Sequence, residues 1–140
     1  METKARKIGS WVVLLVFFTS LLASCGGPAR ITITMTDYEM KLSAPVAKAG
    51  EVTFHVQNNS EVNIHEFVVV KTDLGAGSLP VGDDFLVDES ALTPVDEVED
   101  LEPGQSADLV VTLEPGTYAL ICNLPNHYTL GMHADFTVTP

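Results

Sequence analysis

Basic residues and cysteines are scarce in this chain. Its 140 residues include 7 lysines and arginines against 19 aspartates and glutamates, a net charge of −12, and only two cysteines, Cys25 and Cys122. Because so acidic a protein is repelled by phosphate backbones, nucleic-acid binding is excluded. The two cysteines could form one disulfide, and that bridge is the alternative to the separate roles that we predict for them below.

Helical periodicity is also absent after the first 30 residues. No stretch there carries an apolar stripe at helical spacing over three turns. Neither a glycine loop that could hold phosphate nor a paired nucleophile and base occurs. We therefore expect a protein that is not an enzyme and has no helical layer.

Short alternating segments fill this region instead. Apolar residues at every second position indicate strands buried on one face, and they occur in residues 31–36, 52–57 and 109–113. Residues 117–122 and 134–139 are two further predicted strands. The run Ile64–Lys71 is almost continuously apolar, which is typical of a strand buried on both faces. With turns rich in Gly, Pro and Asn between them, these segments predict an all-β fold, a two-sheet Greek-key sandwich.

The first 24 residues have the pattern of an export signal. Lys4, Arg6 and Lys7 precede an apolar run, Ile8–Ala23, that is too short for a comfortable membrane span. We therefore predict that residues 1–24 are a signal peptide. The remaining chain keeps 18 of the 19 acidic residues and four of the seven basic ones, so its net charge is −14.

The end of this signal resembles the bacterial lipobox. It reads Leu-Ala-Ser-Cys at residues 22–25, and in the lipobox the cysteine is lipidated and becomes the new N-terminus. A plain signal peptide with an incidental cysteine is the alternative. We predict lipidation of Cys25, a tether over residues 25–30 that reaches roughly 20 Å from the bilayer, and a folded domain over residues 31–140. Two or more acyl chains hold a protein stably at a membrane. The predicted location is the extracytoplasmic face of a bacterial membrane, in the periplasm or at the cell surface.

Acidic residues concentrate in the segment 72–105. Nine of them lie between residues 83 and 102, and no lysine or arginine follows Lys71. We interpret the segment as a long loop with a short helix around residues 88–92. Two interpretations of the acidic 83–102 loop stay open: a solvated surface, or a docking patch that speeds encounter with a basic redox partner.

Three residues of metal-ligating types lie within one loop. Four residues separate Cys122 from His127, and four more separate His127 from Met132, while His65 lies far upstream. A thiolate, two imidazoles and a weak axial thioether are the ligand set of copper in electron-transfer sites. Zinc is disfavoured because a thioether is a poor fourth ligand for it. The residues therefore predict one type 1 copper, cycling between Cu(I) and Cu(II).

At these residues the chain resembles the cupredoxins, the blue-copper proteins, and the loop spacing is similar to that of the auracyanin and rusticyanin type. The resemblance covers residues 31–140 and implies the same sandwich fold. It implies that His127 is the electron port, within an apolar docking patch of Leu124, Pro125, Tyr128 and Leu130. Many cupredoxins carry an asparagine directly after the first histidine, which hydrogen-bonds near the cysteine. Glu66 stands here instead, so Asn63 or Asn123 is the predicted replacement.

The function implied is single-electron transfer by a membrane-tethered monomer. Its donor and acceptor would be redox proteins such as a cytochrome, an oxidase or a photosynthetic complex. The alternative is extracytoplasmic copper handling, meaning sequestration or delivery. Copper oxidases need additional histidine clusters, and the binuclear copper site of oxidase subunits needs two cysteines in the loop, whereas this loop has Cys122 alone.

Overall fold

The computed structural model of this protein describes residues 27–140. The predicted signal peptide and Cys25 lie outside the described residues. Within them the chain forms nine strands: β1 (Ala29–Thr36), β2 (Glu39–Leu42), β3 (Val46–Lys48), β4 (Gly50–Asn58), β5 (His65–Lys71), β6 (Thr93–Leu101), β7 (Ser106–Leu113), β8 (Gly116–Ile121) and β9 (His133–Thr139). Two short 3₁₀ helices, Ala76–Ser78 and Glu89–Ala91, separate β5 from β6. No helix in residues 27–140 is long and apolar enough to cross a membrane.

The strands form two sheets, which confirms the predicted all-β sandwich. One sheet has the order β2-β1-β4-β7 and the other the order β3-β9-β8-β5-β6. Both sheets are mixed, because β1 pairs with β4 in parallel and β3 pairs with β9 in parallel. β1 begins at Ala29, so the last two residues of the predicted tether belong to the first sheet.

The core between the sheets follows the alternation seen in the sequence. In β1 the buried residues are Ile31, Ile33 and Met35, while the threonines between them are only half-buried. β4 and β7 contribute alternate residues in the same way, and Phe54 packs against Phe67 and Phe136 across the sandwich. This apolar burial is the main force that holds the two sheets together.

β5 is covered on both faces, as its continuous apolar sequence predicts. Phe67 and Val69 point into the core between the sheets. Val68 and Val70 point outwards, where they pack in a second apolar cluster with Ala76, Leu79, Val87, Ala119, Ile121 and Tyr128. The segment between β5 and β6 supplies the outer cover, so β5 is a rigid support for the residue at its start, His65.

The prediction of one long loop over residues 72–105 is wrong in its second half. Residues Thr93–Leu101 form β6, which pairs with β5 at the edge of the second sheet. Seven of the nine side chains in this strand are exposed, so the sequence has no apolar alternation to show it. Negative charges on an edge strand also discourage pairing with a further strand. The short helix predicted near residue 88 exists as the 3₁₀ helix Glu89–Ala91.

Candidate metal centre

The four predicted ligands come from one end of the second sheet. His65 is the first residue of β5, and Cys122 directly follows β8, the strand beside it. The two strands run antiparallel with Val68 opposite Ile121, which brings His65 and Cys122 to the same end. His127 and Met132 lie on the loop that leads from β8 to β9. Sheet register therefore determines which residues meet.

Backbone hydrogen bonds fold the loop 122–132 back on itself. The Cys122 N–H donates to the Met132 carbonyl at 3.0 Å, and the Met132 N–H donates to the His127 carbonyl at 3.1 Å. Gly131 has a φ of +114°, a conformation that side chains with a Cβ rarely adopt. These constraints hold the first, middle and last ligand of the loop in one place.

Three donor atoms converge at this end of the sheet. The Nδ1 atoms of His65 and His127 are 3.2 Å apart, and the Cys122 Sγ lies 3.8 Å from the first and 3.3 Å from the second. A point at equal distance from the three atoms lies about 2 Å from each, which is close to the length of a bond between imidazole nitrogen and a first-row metal ion. These three are a potential metal-binding group among the described residues.

Met132 completes the donor set from inside the core. Its side chain is fully buried and packs in the same cluster as Cys122. Two imidazoles, one thiolate and one thioether fit a single type 1 copper ion. His55 and His133 lie elsewhere: His55 contacts Asp108, and the ring of His133 packs on that of Tyr128.

Burial governs the proton affinities of the ligands. It lowers the pKa of His65 to about 4, with a further contribution from the nearby His127, and it lowers the pKa of His127. Both imidazoles are therefore neutral and ready to bind metal at pH 7. Burial raises the pKa of the Cys122 thiol, so metal binding releases the thiol proton.

The hydrogen bond to the cysteine sulfur comes from a backbone group. The Glu66 N–H lies 3.4 Å from Cys122 Sγ and donates to it. Asn63 and Asn123, predicted for this role, do not provide the bond: Asn63 donates to Asp37, and Asn123 hydrogen-bonds with Val87 and Glu89. The Glu66 carboxyl has its pKa raised to about 7, first by burial and then by Glu97 and Glu89.

The surface near His127 differs from the predicted patch in one residue. His127 and Leu124 are half-buried, and Pro125 and Leu130 are exposed, as a docking patch requires. Tyr128 is only 5% exposed, so its assignment to the patch is wrong. Its hydroxyl donates to the Ala76 carbonyl and accepts from the Leu79 N–H, which anchors the outer cover of β5.

Two neighbours of the histidines have no signal in the sequence pattern. Tyr38, 45% exposed, packs edge-on against the His127 ring with centroids 5.8 Å apart. Ser60 lies beside the His65 ring, with its Oγ 2.5 Å from Nε2. Neither residue follows from the ligand spacing, because both are brought to the site by turns far from the 122–132 loop. The sequence Asn58-Asn59-Ser60 signalled only a turn.

Comparison with known proteins identifies a family and several relatives. Residues 8–134 match the cupredoxin-like domain family. Dithionite-reduced auracyanin from Roseiflexus castenholzii is 25% identical, with a TM-score of 0.61 over 82% of this chain and 100% of its own. Auracyanin A from Chloroflexus aurantiacus, described as a "blue" copper protein, is 27% identical, with a TM-score of 0.59 over 81% of this chain and 100% of its own.

A more distant relative is the iron uptake system component EfeO of Escherichia coli K12. It is 23% identical over 112 residues, which cover 80% of this chain and 24% of EfeO. This chain therefore spans about a quarter of the length of that relative.

Proposed function

Since the chain belongs to the cupredoxin-like family, we propose that it is a type 1 copper protein that transfers single electrons between redox proteins at a bacterial membrane. The observation that carries this proposal is the triangle of His65 Nδ1, His127 Nδ1 and Cys122 Sγ, with Met132 fully buried beside it. Copper bound there would supply a one-electron couple.

The residues of the site favour electron transfer over chemistry on a substrate. His65, Cys122 and Met132 are all inaccessible to solvent, so the protein leaves no room at the donor atoms for a small molecule. Of the four predicted ligands, His127 alone is partly exposed, so its ring connects the buried donors to the surface. Exposed Leu130 and Tyr38 give this region an apolar character suited to brief contact.

Rigidity around the donor atoms serves the same function. β5 is packed on both faces, and the loop 122–132 is closed by its own backbone hydrogen bonds. A frame that keeps one geometry in both oxidation states reduces the rearrangement that accompanies electron transfer. Burial also lowers the pKa of both histidines and so keeps them in the neutral form that binds metal.

The copper test uses the protein purified from membranes in detergent and loaded with Cu(II). We expect an intense blue charge-transfer band from the thiolate, and its complete loss in Cys122→Ser. A colourless wild-type protein, or a band that survives in Cys122→Ser, would contradict the proposal. The matched control is Ser106→Ala, an exposed position on the other sheet.

Membrane attachment is a separate part of the proposal. It is supported by the lipobox-like sequence ending at Cys25. Four residues separate the start of β1 from the end of the predicted signal peptide, a reach of roughly 14 Å at full extension. Mass spectrometry should find an acylated N-terminal Cys25, and Cys25→Ala should release the protein from membranes. A mature protein that begins at another residue would contradict the lipid anchor.

Electron transfer and copper handling predict different behaviour of the loaded protein. If the protein is an electron carrier, its Cu(II) form should accept electrons from a reduced cytochrome or a reduced quinol oxidase of its host membrane. Its copper should stay bound throughout. A handling protein should lose copper to a chelator within minutes and exchange electrons slowly. The complete burial of His65, Cys122 and Met132 favours slow metal exchange, and hence the electron carrier.

A further inference from the structure

The outer nitrogen of His65 has a buried partner. Ser60 Oγ lies 2.5 Å from His65 Nε2, on the side of the ring opposite the metal-facing Nδ1. Ser60 is 8% exposed and His65 is fully buried, so water has little access to this contact. A hydrogen bond in such a place affects both the orientation and the protonation of the ring.

Ser60 is itself held by Asn58, the last residue of β4. The Asn58 Oδ1 accepts from the Ser60 N–H at 2.9 Å, and its Nδ2 donates to the carbonyls of Asn63 and Leu101, each at 2.8 Å. Asn58 is fully buried, and every polar atom of its side chain is used. The turn that carries Ser60 is thus tied to β4, to the residues before β5 and to the end of β6.

The chemistry of imidazole decides the direction of the Ser60 contact. A neutral histidine has one N–H and one free lone pair. Nδ1 of His65 faces Cys122 Sγ and His127 Nδ1, where a metal needs the lone pair. The proton then belongs on Nε2, which donates to Ser60 Oγ.

We propose that Ser60, held in place by Asn58, is a positioning residue that selects the Nε2–H tautomer of His65 and so keeps Nδ1 free for metal. The direction of this contact rests on the copper function proposed above, because a serine hydroxyl can donate or accept, whereas the tautomer itself is measured on the copper-free protein. Groups that hydrogen-bond to a metal-ligating histidine typically change metal affinity by about 10–100-fold. The Thr36 backbone is also within reach of the His65 ring, so we expect the lower end of this range.

The test compares Ser60→Ala with the wild-type protein in two measurements. Long-range ¹H–¹⁵N correlation spectra of the copper-free protein at pH 8 report which His65 nitrogen carries the proton. We expect Nε2–H alone in the wild type and a mixture with Nδ1–H in the variant. Copper affinity from competition with a chelator should fall about tenfold.

A matched pair of variants isolates the hydroxyl from the shape of the side chain. Thr and Val have the same shape, so Ser60→Thr and Ser60→Val place equal strain on the turn, and they also serve if the alanine variant does not fold. Ser60→Thr should keep the wild-type tautomer and affinity, whereas Ser60→Val should behave as Ser60→Ala. The exposed Ser106→Ala should change neither measurement.

The outcomes separate this proposal from the copper function. If Ser60→Ala and Ser60→Val retain Nε2–H alone and bind copper within twofold of the wild type, Ser60 does not position His65. If the wild-type protein gives no blue band, the copper function fails, and the tautomer measurement still decides the role of Ser60.

Discussion

The backbone N–H of Glu66 donates to the Sγ of Cys122 over 3.4 Å. This contact explains how the site tolerates glutamate where many cupredoxins have asparagine. Any residue other than proline at position 66 presents the same backbone N–H, provided that β5 starts at His65 and stays paired with β8. A hydrogen bond to the sulfur stabilises the thiolate and is one of the features that tune the potential of such sites.

Glu66→Gln should therefore keep the blue absorption band and raise the reduction potential. The band depends on the thiolate and its backbone donor, which the change leaves in place. The potential rises because a charged carboxylate near the metal stabilises the more positive oxidation state, and we expect up to about 59 mV, a tenfold change for one electron. The measurement is a redox titration at pH 9. Glu51→Gln, which removes the same charge from the other sheet, should shift the potential far less; loss of the band would show that the Glu66 side chain is needed.

Met132→Leu should keep copper bound and also raise the potential. Leucine fills the same fully buried space without the sulfur, so the fold changes little. Without the thioether the oxidised metal loses an electron donor, and a rise on the order of 60 mV is expected. Redox titration with the absorption spectrum checks both parts. Met35→Leu is the control, because Met35 is equally buried in β1 but is not a ligand; an unchanged potential in Met132→Leu would remove Met132 from the ligand set.

Removal of copper should lower the melting temperature by about 10 °C. A ligand at 1,000 times its Kd stabilises the folded state by about 4.1 kcal/mol. In a domain of this size, each kcal/mol of stabilisation raises the melting temperature by a few degrees. Calorimetry of the loaded and the chelator-treated protein measures the difference. Cys122→Ser should show little of the copper-dependent shift, and equal shifts in both proteins would place the stabilising copper elsewhere.

The sequence predicts the sandwich and the ligand spacing because both depend on local patterns. Alternation in β1 and β4 follows from burial on one face, and the spacing of Cys122, His127 and Met132 follows from a single loop. The sequence does not predict β6, because the side chains of this edge strand are exposed and need not alternate between apolar and polar. The role of Ser60 is not predicted either, because its contact with His65 depends on how a turn packs against β5, which no local sequence pattern encodes.

Tyr128 is a further case in which the local sequence does not predict burial, since the adjacent Thr129 is exposed whereas the Tyr128 side chain is buried. Tyr128→Phe should destabilise the protein by about 1–3 kcal/mol, because it leaves the Leu79 N–H without a buried partner and removes the bond to the Ala76 carbonyl. The copper spectrum should not change. Amide hydrogen exchange should accelerate at Leu79.

Leu130→Ala, at an exposed position of the same loop, should leave stability unchanged and slow electron exchange with the partner.

The stability that Asp108 contributes should depend on pH, independently of the metal centre. Its carboxylate accepts hydrogen bonds from Arg30 at 3.0 and 3.1 Å and contacts His55 Nδ1 at 2.5 Å, on the outer face of the first sheet. His55 first, and then Arg30, hold the pKa of Asp108 below its ordinary value of 3.8. The charged form is therefore favoured in the folded state.

The sign of the effect follows from this lowered pKa. The contacts with His55 and Arg30 exist only in the folded state, so the charged Asp108 stabilises the fold fully at pH values above 3.8. This stability is lost as the pH falls through the lowered pKa of the folded state. Asp108→Asn should lower the melting temperature at pH 6 by only about 1–2 °C, because the groups are exposed and screened. The difference from wild type should shrink as the pH falls below 3.8. Glu51→Gln, an exposed acid on the same sheet, should show no such convergence. A difference that stays the same at every pH would mean that Asp108 acts through packing and not through its charge.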